Sequence, residues 1–395
     1  MMSSPEHTTS PTERAQVHVC LISAQATPNL TPVLDPALKP GRVVMLVSPD
    51  MSARAKWLED VLRPLGIVVE KIDVPDPWDI SKVSDQLMEW LGAQPGDPPV
   101  ALNVTGGTKP MAMAAQQVFA MDGKPVFYVH QERDEILWLT PRRPPTPLKG
   151  KLKLEPYLHA HGWKVIERPA LPALSSSLRE LTGELVLQCG SLERALGVMN
   201  WYAQQCEGKP DRAVKLEEGD ERNPGFMALI DKFARFGACR RQGNRLIFDD
   251  ERARFFCNGG WLEQHVVDAV NTLRKRAGIQ DLAAGLRVRA LDNRLTGSAG
   301  SNELDVVFIA RNRLHIIECK TRSFRDRNGA ADAVYKLDAL TALGGLNTRG
   351  LLVSYRQLSD GDRQRAKDLR IRTVVGGAIS RLPDELMRWI ENATP

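Results

Sequence analysis

The stretch NELDVVFIARNRLHIIECKTR, residues 302–322, decides the C-terminal fold. Two apolar runs flank Arg311–Asn312, and asparagine tolerates the positive φ that tight hairpin turns demand. With those two as turn residues, Asp305 faces Glu318 across the hairpin and Glu303 faces Lys320. Side chains alternate along a strand, so all four share one face. Opposed Cβ atoms stand roughly 4.5–5.5 Å apart, where like charges repel. Val306, Val307, Phe308, Ile309, Ile316 and Ile317 make the hairpin apolar on both faces and therefore buried. Burying two facing carboxylates is costly unless a cation or a proton compensates. A divalent metal does this with carboxylate oxygens as hard ligands. The spacing thus predicts Mg²⁺ or Mn²⁺ held by Asp305, Glu318 and the Cys319 carbonyl, with Lys320 placed to orient water or stabilise charge on phosphorus. His315 falls on the other face, a packed or surface histidine and not a ligand.

Working outward, GGWLEQHVVDAVNTLRKRAG begins a helix after two glycines, with Trp261, Val266, Ala269 and Val270 among its apolar positions. Strands are predicted at 286–291, 303–310, 313–320 and 350–354, with a helix at 330–343. Acid, short gap, then E-x-K on the next strand resembles the PD-(D/E)xK nuclease superfamily, with Asp305 as the acid and Glu318-Cys319-Lys320 as E-x-K. In that resemblance Glu263 stands for the upstream helix acid, a further metal ligand, and Glu303 assists.

The N-terminal third alternates short β-branched runs at 17–22, 43–47, 67–72, 99–104 and 126–130 with helical stretches at 51–64, 79–92 and 110–121. This α/β alternation predicts a doubly wound, Rossmann-like parallel sheet. VALNVTGGTKPMAMAAQQVFAM sets Thr105, Gly106, Gly107, Thr108 and Lys109 between a strand and a helix. Glycines admit a ligand to the backbone, and free N–H groups at a helix start suit phosphate. The loops Ser23–Asn29 and Ser48–Met51 are expected at the same carboxyl edge, where such sheets bind ligands. The loop fits neither the Walker pattern nor G-x-G-x-x-G.

Strand, TGGTK, then an Ala/Met-rich helix resembles the CARF sensors of CRISPR-associated proteins. The combined order resembles the CARF–PD-(D/E)xK ancillary nucleases of type III CRISPR systems. That resemblance implies a homodimer activated by a cyclic oligoadenylate, cyclic tetra-adenylate in particular. It implies contacts from Thr105, Gly106, Gly107, Thr108, Lys109, Ser23, Gln25, Asn29 and Ser48, and substrates of single-stranded DNA or RNA, with nicked duplex DNA as a further one. Two other readings stay open: a non-catalytic nucleotide sensor, and a ligand-independent restriction or repair nuclease.

The expected division is a loose tail at 1–14, the CARF domain at 15–140, a linker and a small helical or winged segment at 141–257, and the nuclease at 258–395. PRRPPTPLKG at 141–150 reads as the boundary, because four prolines cannot continue a helix or a central strand. Helices are expected at 191–206 and 224–236, with a hairpin turning at 241–244. With 43% hydrophobic and 26% charged residues the chain is globular, not disordered or fibrous. A net charge of +5 does not by itself demand a nucleic-acid partner. Arg240, Arg241, Arg245, Arg252 and Arg254 read as a solvated face, whereas Arg311, Arg313, Lys320, Arg322, Arg325 and Arg327 flank the carboxylate motif. Cys20, Cys189, Cys206, Cys239, Cys257 and Cys319 form no C-x-x-C pair, which argues against zinc and for a reducing cytoplasm. The polar N-terminus lacks the apolar segment of a signal peptide, and no stretch reaches membrane-spanning length.

Overall fold

The computed structural model describes residues 15–171, 174–292, 301–321 and 329–391. The 1–14 tail and Arg322, Arg325 and Arg327 lie outside them. The chain forms two compact units. One runs to Lys164 and includes 290–298 and 344–346; the other takes the remainder from Val165.

In the first unit the β-branched runs become strands β1 (Val17–Leu21), β2 (Arg42–Val47), β3 (Val68–Asp73), β4 (Val100–Asn103) and β5 (Val126–His130). Helices α1 (Thr27–Leu34), α2 (Ser52–Leu62), α3 (Ile80–Gly92) and α4 (Lys109–Met121) connect them, and α5 (Leu154–Ala160) closes the unit. β6 (Glu135–Thr140) and β7 (Arg143–Pro147) complete a sheet of order β3-β2-β1-β4-β5-β6-β7. The first five strands pair in parallel and the last two antiparallel. Because β1 lies between β2 and β4, the strand order reverses there, which places a ligand crevice at the carboxyl ends of β1 and β4.

Two expectations need correction. The proline-rich 141–150 segment is not a plain linker: Arg143–Pro147 pairs with β6 as an edge strand. An edge strand bonds on one side only, so missing N–H groups on the other cost nothing and blunt the open edge. The residues after β1 are not all loop either, because α1 begins at Thr27 and carries Asn29.

The second unit begins within β8 (Trp163–Glu167), followed by α6 (Ser176–Leu187), α7 (Glu193–Gln205), β9 (Ala213–Lys215), α8 (Glu218–Glu221), α9 (Pro224–Arg235), β10 (Arg240–Gln242) and β11 (Arg245–Ile247). The expected hairpin forms, Gln242 pairing with Arg245, and β9 adds a strand to make a three-stranded wing. Arg240 and Arg245 pair with Asp249 and Asp211 at the surface, as a solvated face would, but Arg254 departs from it, being buried and bonded to Glu251 and the Ala203 carbonyl. Next come α10 (Glu251–Phe255), α11 (Trp261–Thr272), β12 (Ile279–Ala290), β13 (Ser301–Ala310), β14 (Arg313–Lys320), α12 (Gly329–Thr341), β15 (Arg349–Ser354), α13 (Asp360–Asp368), β16 (Arg372–Val375) and α14 (Leu382–Glu391). The sheet order is β16-β15-β14-β13-β12-β8. A single apolar cluster runs from Leu181 and Phe226 through Trp261 to Phe308 and Ile390, so the helical segment and the sheet share one core. Among the described residues no helix is long and apolar enough to cross a membrane.

Candidate active site and sensor crevice

The β13–β14 hairpin turns at Arg311 and Asn312, with φ of 51° and 57°, the primed turn that the sequence demanded. Its register, Ala310 with Arg313 through Val306 with Ile317, is the one predicted. The described pairing ends there. Beyond it, Asp305 Oδ2 accepts from the backbone N–H of Cys319 at 2.8 Å instead of Asp305 pairing with Glu318 across the ladder. Glu303 does not pair with Lys320; its registered neighbour is Arg287 on β12, and it is exposed. The described ladder between the two strands thus ends where the carboxylates begin.

Glu263 arrives from the first turn of α11, which packs on β13 and β14. Two glycines allow that approach. Gly259 has φ +99°, and a Cβ there would stand 2.0 Å from Thr321 Oγ1, while one at Gly260 would strike the Phe255 ring. The backbone kinks at Gly259, between α10 and α11.

Electrostatics show how tightly the acids crowd. Burial, then Asp305 and Glu303, push the Glu263 carboxyl up to about 9. Burial, then Glu318, push Asp305 up to about 6. Burial pulls on Lys320, but Glu318 and Asp305 outweigh it and leave its ammonium above its ordinary value. The Glu318 side chain is 0% exposed and accepts from Lys320 Nζ at 2.6 Å. It also accepts from Lys336 Nζ of α12, at 2.8 and 3.0 Å to its two oxygens. Sequence reading missed Lys336; its position flanks the buried Ala333, Val334 and Leu337 of α12 and carries no motif. Among the described residues no three acid, thiol or imidazole side chains already converge on one ion position. Both Glu318 oxygens are held by ammonium groups, so the donor set suits a hard divalent cation without being closed around one.

His315 is buried, stacked on Phe308 at 4.7 Å and edge-on to Trp389, so it is a packing residue. All six cysteines are free, and Cys20 and Cys319 are buried in their strands.

In the first unit, Gly106 and Gly107 lie against the end of β1. A Cβ on Gly106 would stand 2.1 Å from the Leu21 carbonyl oxygen, and Gly107 has φ +72°. The glycines are therefore required by close packing whether or not a ligand binds. Thr108 caps α4, accepting from Met111 N–H at 3.2 Å and donating to the Pro77 carbonyl at 2.7 Å. The Thr105 hydroxyl donates to Asn103 Oδ1 and accepts from Val129 N–H. Both threonine hydroxyls thus shape the loop. Among the described hydrogen bonds none uses the N–H of Gly106, Gly107 or Thr108, and Lys109 is exposed. Asn29 is buried, bonded to the Leu21 carbonyl and to Asn103. It ties α1 to β1 and β4. Ser23 bonds Gln25, and the buried Ser48 bonds Asp50.

Residues 17–157 match the family model of the Card1 CARF domain, and residues 249–393 match that of the Card1-like endonuclease domain. The chain belongs to the CARF-linked nucleases of CRISPR defence. It is similar to protein VC1899 from Vibrio cholerae, at 27% identity and TM-score 0.88, over 96% of this chain and 98% of that one. It is similar to Can2 from Sulfobacillus thermosulfidooxidans, solved with cyclic tetra-adenylate, at 27% identity and TM-score 0.77 over the same shares. A type III CRISPR defence DNA nuclease activated by cyclic oligoadenylate shares the fold, at 22% identity and TM-score 0.57, over 88% of this chain and 46% of that one. No curated protein sequence matches the chain.

Proposed function

We propose that this nuclease is a divalent-metal enzyme that hydrolyses nucleic-acid phosphodiesters when its sensor binds a cyclic oligoadenylate. One observation carries the chemistry: Asp305, Glu318 and Glu263 crowd together beside Lys320, with Glu263 and Asp305 pushed toward protonation by burial and by the charge of neighbouring carboxylates. Asp305, Glu318, Glu263 and the Cys319 carbonyl would hold Mn²⁺ or Mg²⁺, which supplies an acidified water and polarises phosphate. Lys320, bonded to Glu318, holds a positive charge where an attacked phosphate gathers negative charge. Glu303 stays at the rim of this group.

The activator reading rests on the crevice at the switch point and on the likeness to Can2 bound to cyclic tetra-adenylate. The free N–H groups of Gly106, Gly107 and Thr108 and the Lys109 ammonium suit a ring of phosphates. Ser23, Gln25 and Ser48 are the neighbouring contacts. A four-fold ring with internal symmetry fits a homodimer, each protomer contributing one crevice. The substrate is single-stranded DNA or RNA, or nicked duplex, held through its phosphates, and the enzyme acts in the cytoplasm.

The test is purified protein with Mn²⁺ and labelled single-stranded DNA or RNA, with and without each cyclic oligoadenylate. Cutting is expected with cyclic tetra-adenylate and not without it. Equal cutting without any ring would make this a ligand-independent nuclease, and no cutting in any mixture would leave a sensor alone.

A further inference from the structure

Two ammonium groups converge on Glu318, whereas no described ion pair reaches Asp305 or Glu263. A purely structural arrangement would spread the cations over three crowded acids. Here Glu318 Oε1 accepts from Lys320 and Lys336 together, and Oε2 accepts from Lys336 alone. The two lysines differ in how they are held. Lys320 belongs to β14, paired in register with Ser354, and its side chain is 32% exposed. Lys336 reaches in from α12, its side chain is 44% exposed, and it makes no other described ion pair.

We propose that Lys336 is a displaceable counter-ion: it holds Glu318 while the metal position is empty and must leave Oε2 before a divalent cation can take that oxygen. The proposal rests on the metal-site reading above. No described ion pair holds Asp305 or Glu263, so Oε2 is the ligand whose release gates loading. A divalent cation on Oε2 and the Lys336 ammonium bonded to that same oxygen at 3.0 Å would stand a few ångströms apart and repel. Lys336 therefore swings outward along its exposed stem, and Lys320 remains on Oε1. Lys336 is a positioning residue in this scheme, setting how much metal the site needs.

The experiment is calorimetric titration of Mn²⁺ into metal-free full-length protein without nucleic acid, comparing the unmodified chain with Lys336→Met, Lys336→Arg and Asp305→Ala. Removing the competing charge in Lys336→Met is expected to tighten Mn²⁺ binding by about ten-fold or more. Lys336→Arg, which keeps the charge, should stay near the unmodified value, and Asp305→Ala should lose binding. In cleavage assays the Mn²⁺ concentration for half-maximal rate should fall in parallel for Lys336→Met. Unchanged or weaker binding in Lys336→Met, with Asp305→Ala still losing it, overturns the counter-ion role and leaves the metal site intact. An unmodified chain that binds no Mn²⁺ overturns both. Circular dichroism identical across the variants shows that the exposed Lys336 stem was not needed for folding.

Discussion

At Glu263, burial and the nearby Asp305 and Glu303 lift the carboxyl from 4.5 to about 9. A carboxyl whose folded value is raised contributes stability that is complete below the unfolded value and lost as pH climbs through the folded one. Metal-free protein should therefore weaken between about pH 4.5 and 9 on account of this group. Glu263→Gln imitates the neutral acid, so its metal-free melting temperature should exceed that of the unmodified chain by a few degrees at pH 8, with the difference gone near pH 4. The same change should lower metal-dependent cleavage at least ten-fold, because an amide is a poorer ligand than a carboxylate. Equal melting curves at pH 8 would show that the acid is not strained. Asp305→Ala and Lys320→Ala should each reduce cleavage by about 10²-fold or more with unaltered circular dichroism; undiminished cutting by either would remove that residue from the site. The alternation around the Arg311–Asn312 turn was enough to single out Asp305, Glu318 and Lys320 from sequence. Lys336 was not legible because its role depends on α12 lying across β14, a tertiary fact with no local pattern.

Among elements, the β4–α4 connection is the most constrained by its neighbours. Gly106 has no room for a methyl beside the Leu21 carbonyl, and Gly107 needs a left-handed backbone. Gly106→Ala should push the loop off β1, costing about 1–3 kcal/mol and the response to cyclic tetra-adenylate together. Lys109→Ala touches no packing and should leave the melting temperature alone while weakening ring binding roughly ten-fold, by calorimetry. If Lys109→Ala binds the ring as tightly as the unmodified chain, the ammonium does not face phosphate. Strands β1, β2, β4 and β5 were readable because buried parallel strands are near-continuous apolar runs, whereas β3, at the sheet's edge, carries Glu70, Lys71 and Asp73 and is exposed or half-buried throughout. β7 was not readable, since its prolines forbid a central strand and only the edge of a formed sheet makes them harmless. β9 is three residues long, too short to carry a period, and α1 holds Pro28 and Pro32, which mask its helical character.

Across the whole molecule, acid should act on both units through a buried imidazole in each. His161, stacked on Tyr157, is pushed down to about 4 by burial, its Nδ1 engaged by the Tyr157 carbonyl. His315, between Phe308 and Trp389, is pushed down to about 3 by burial, aided by Arg349. In each ring Nε2 has no partner among the described residues, so a proton there would be a charge in an apolar setting. Above pH 6.5 both rings are neutral folded or unfolded, and neither contributes any slope. Below it the unfolded chain takes protons that the folded chain refuses, at about 1.4 kcal/mol per pH unit for each ring at most. The contribution of each ring should therefore fall steadily from pH 6.5, toward 4 for His161 and toward 3 for His315, the latter opposed by the gain as Glu263 is protonated. Scanning calorimetry at pH 7.5 and 5 should show the first unit's transition moving down, whereas in the second unit the loss through His315 is set against the gain as Glu263 takes a proton. Replacing His315 with phenylalanine, a ring that cannot charge, should flatten the acid slope of the second unit's transition and spare that of the first. A first-unit transition that does not move between those two pH values would mean that His161 protonates in the folded chain.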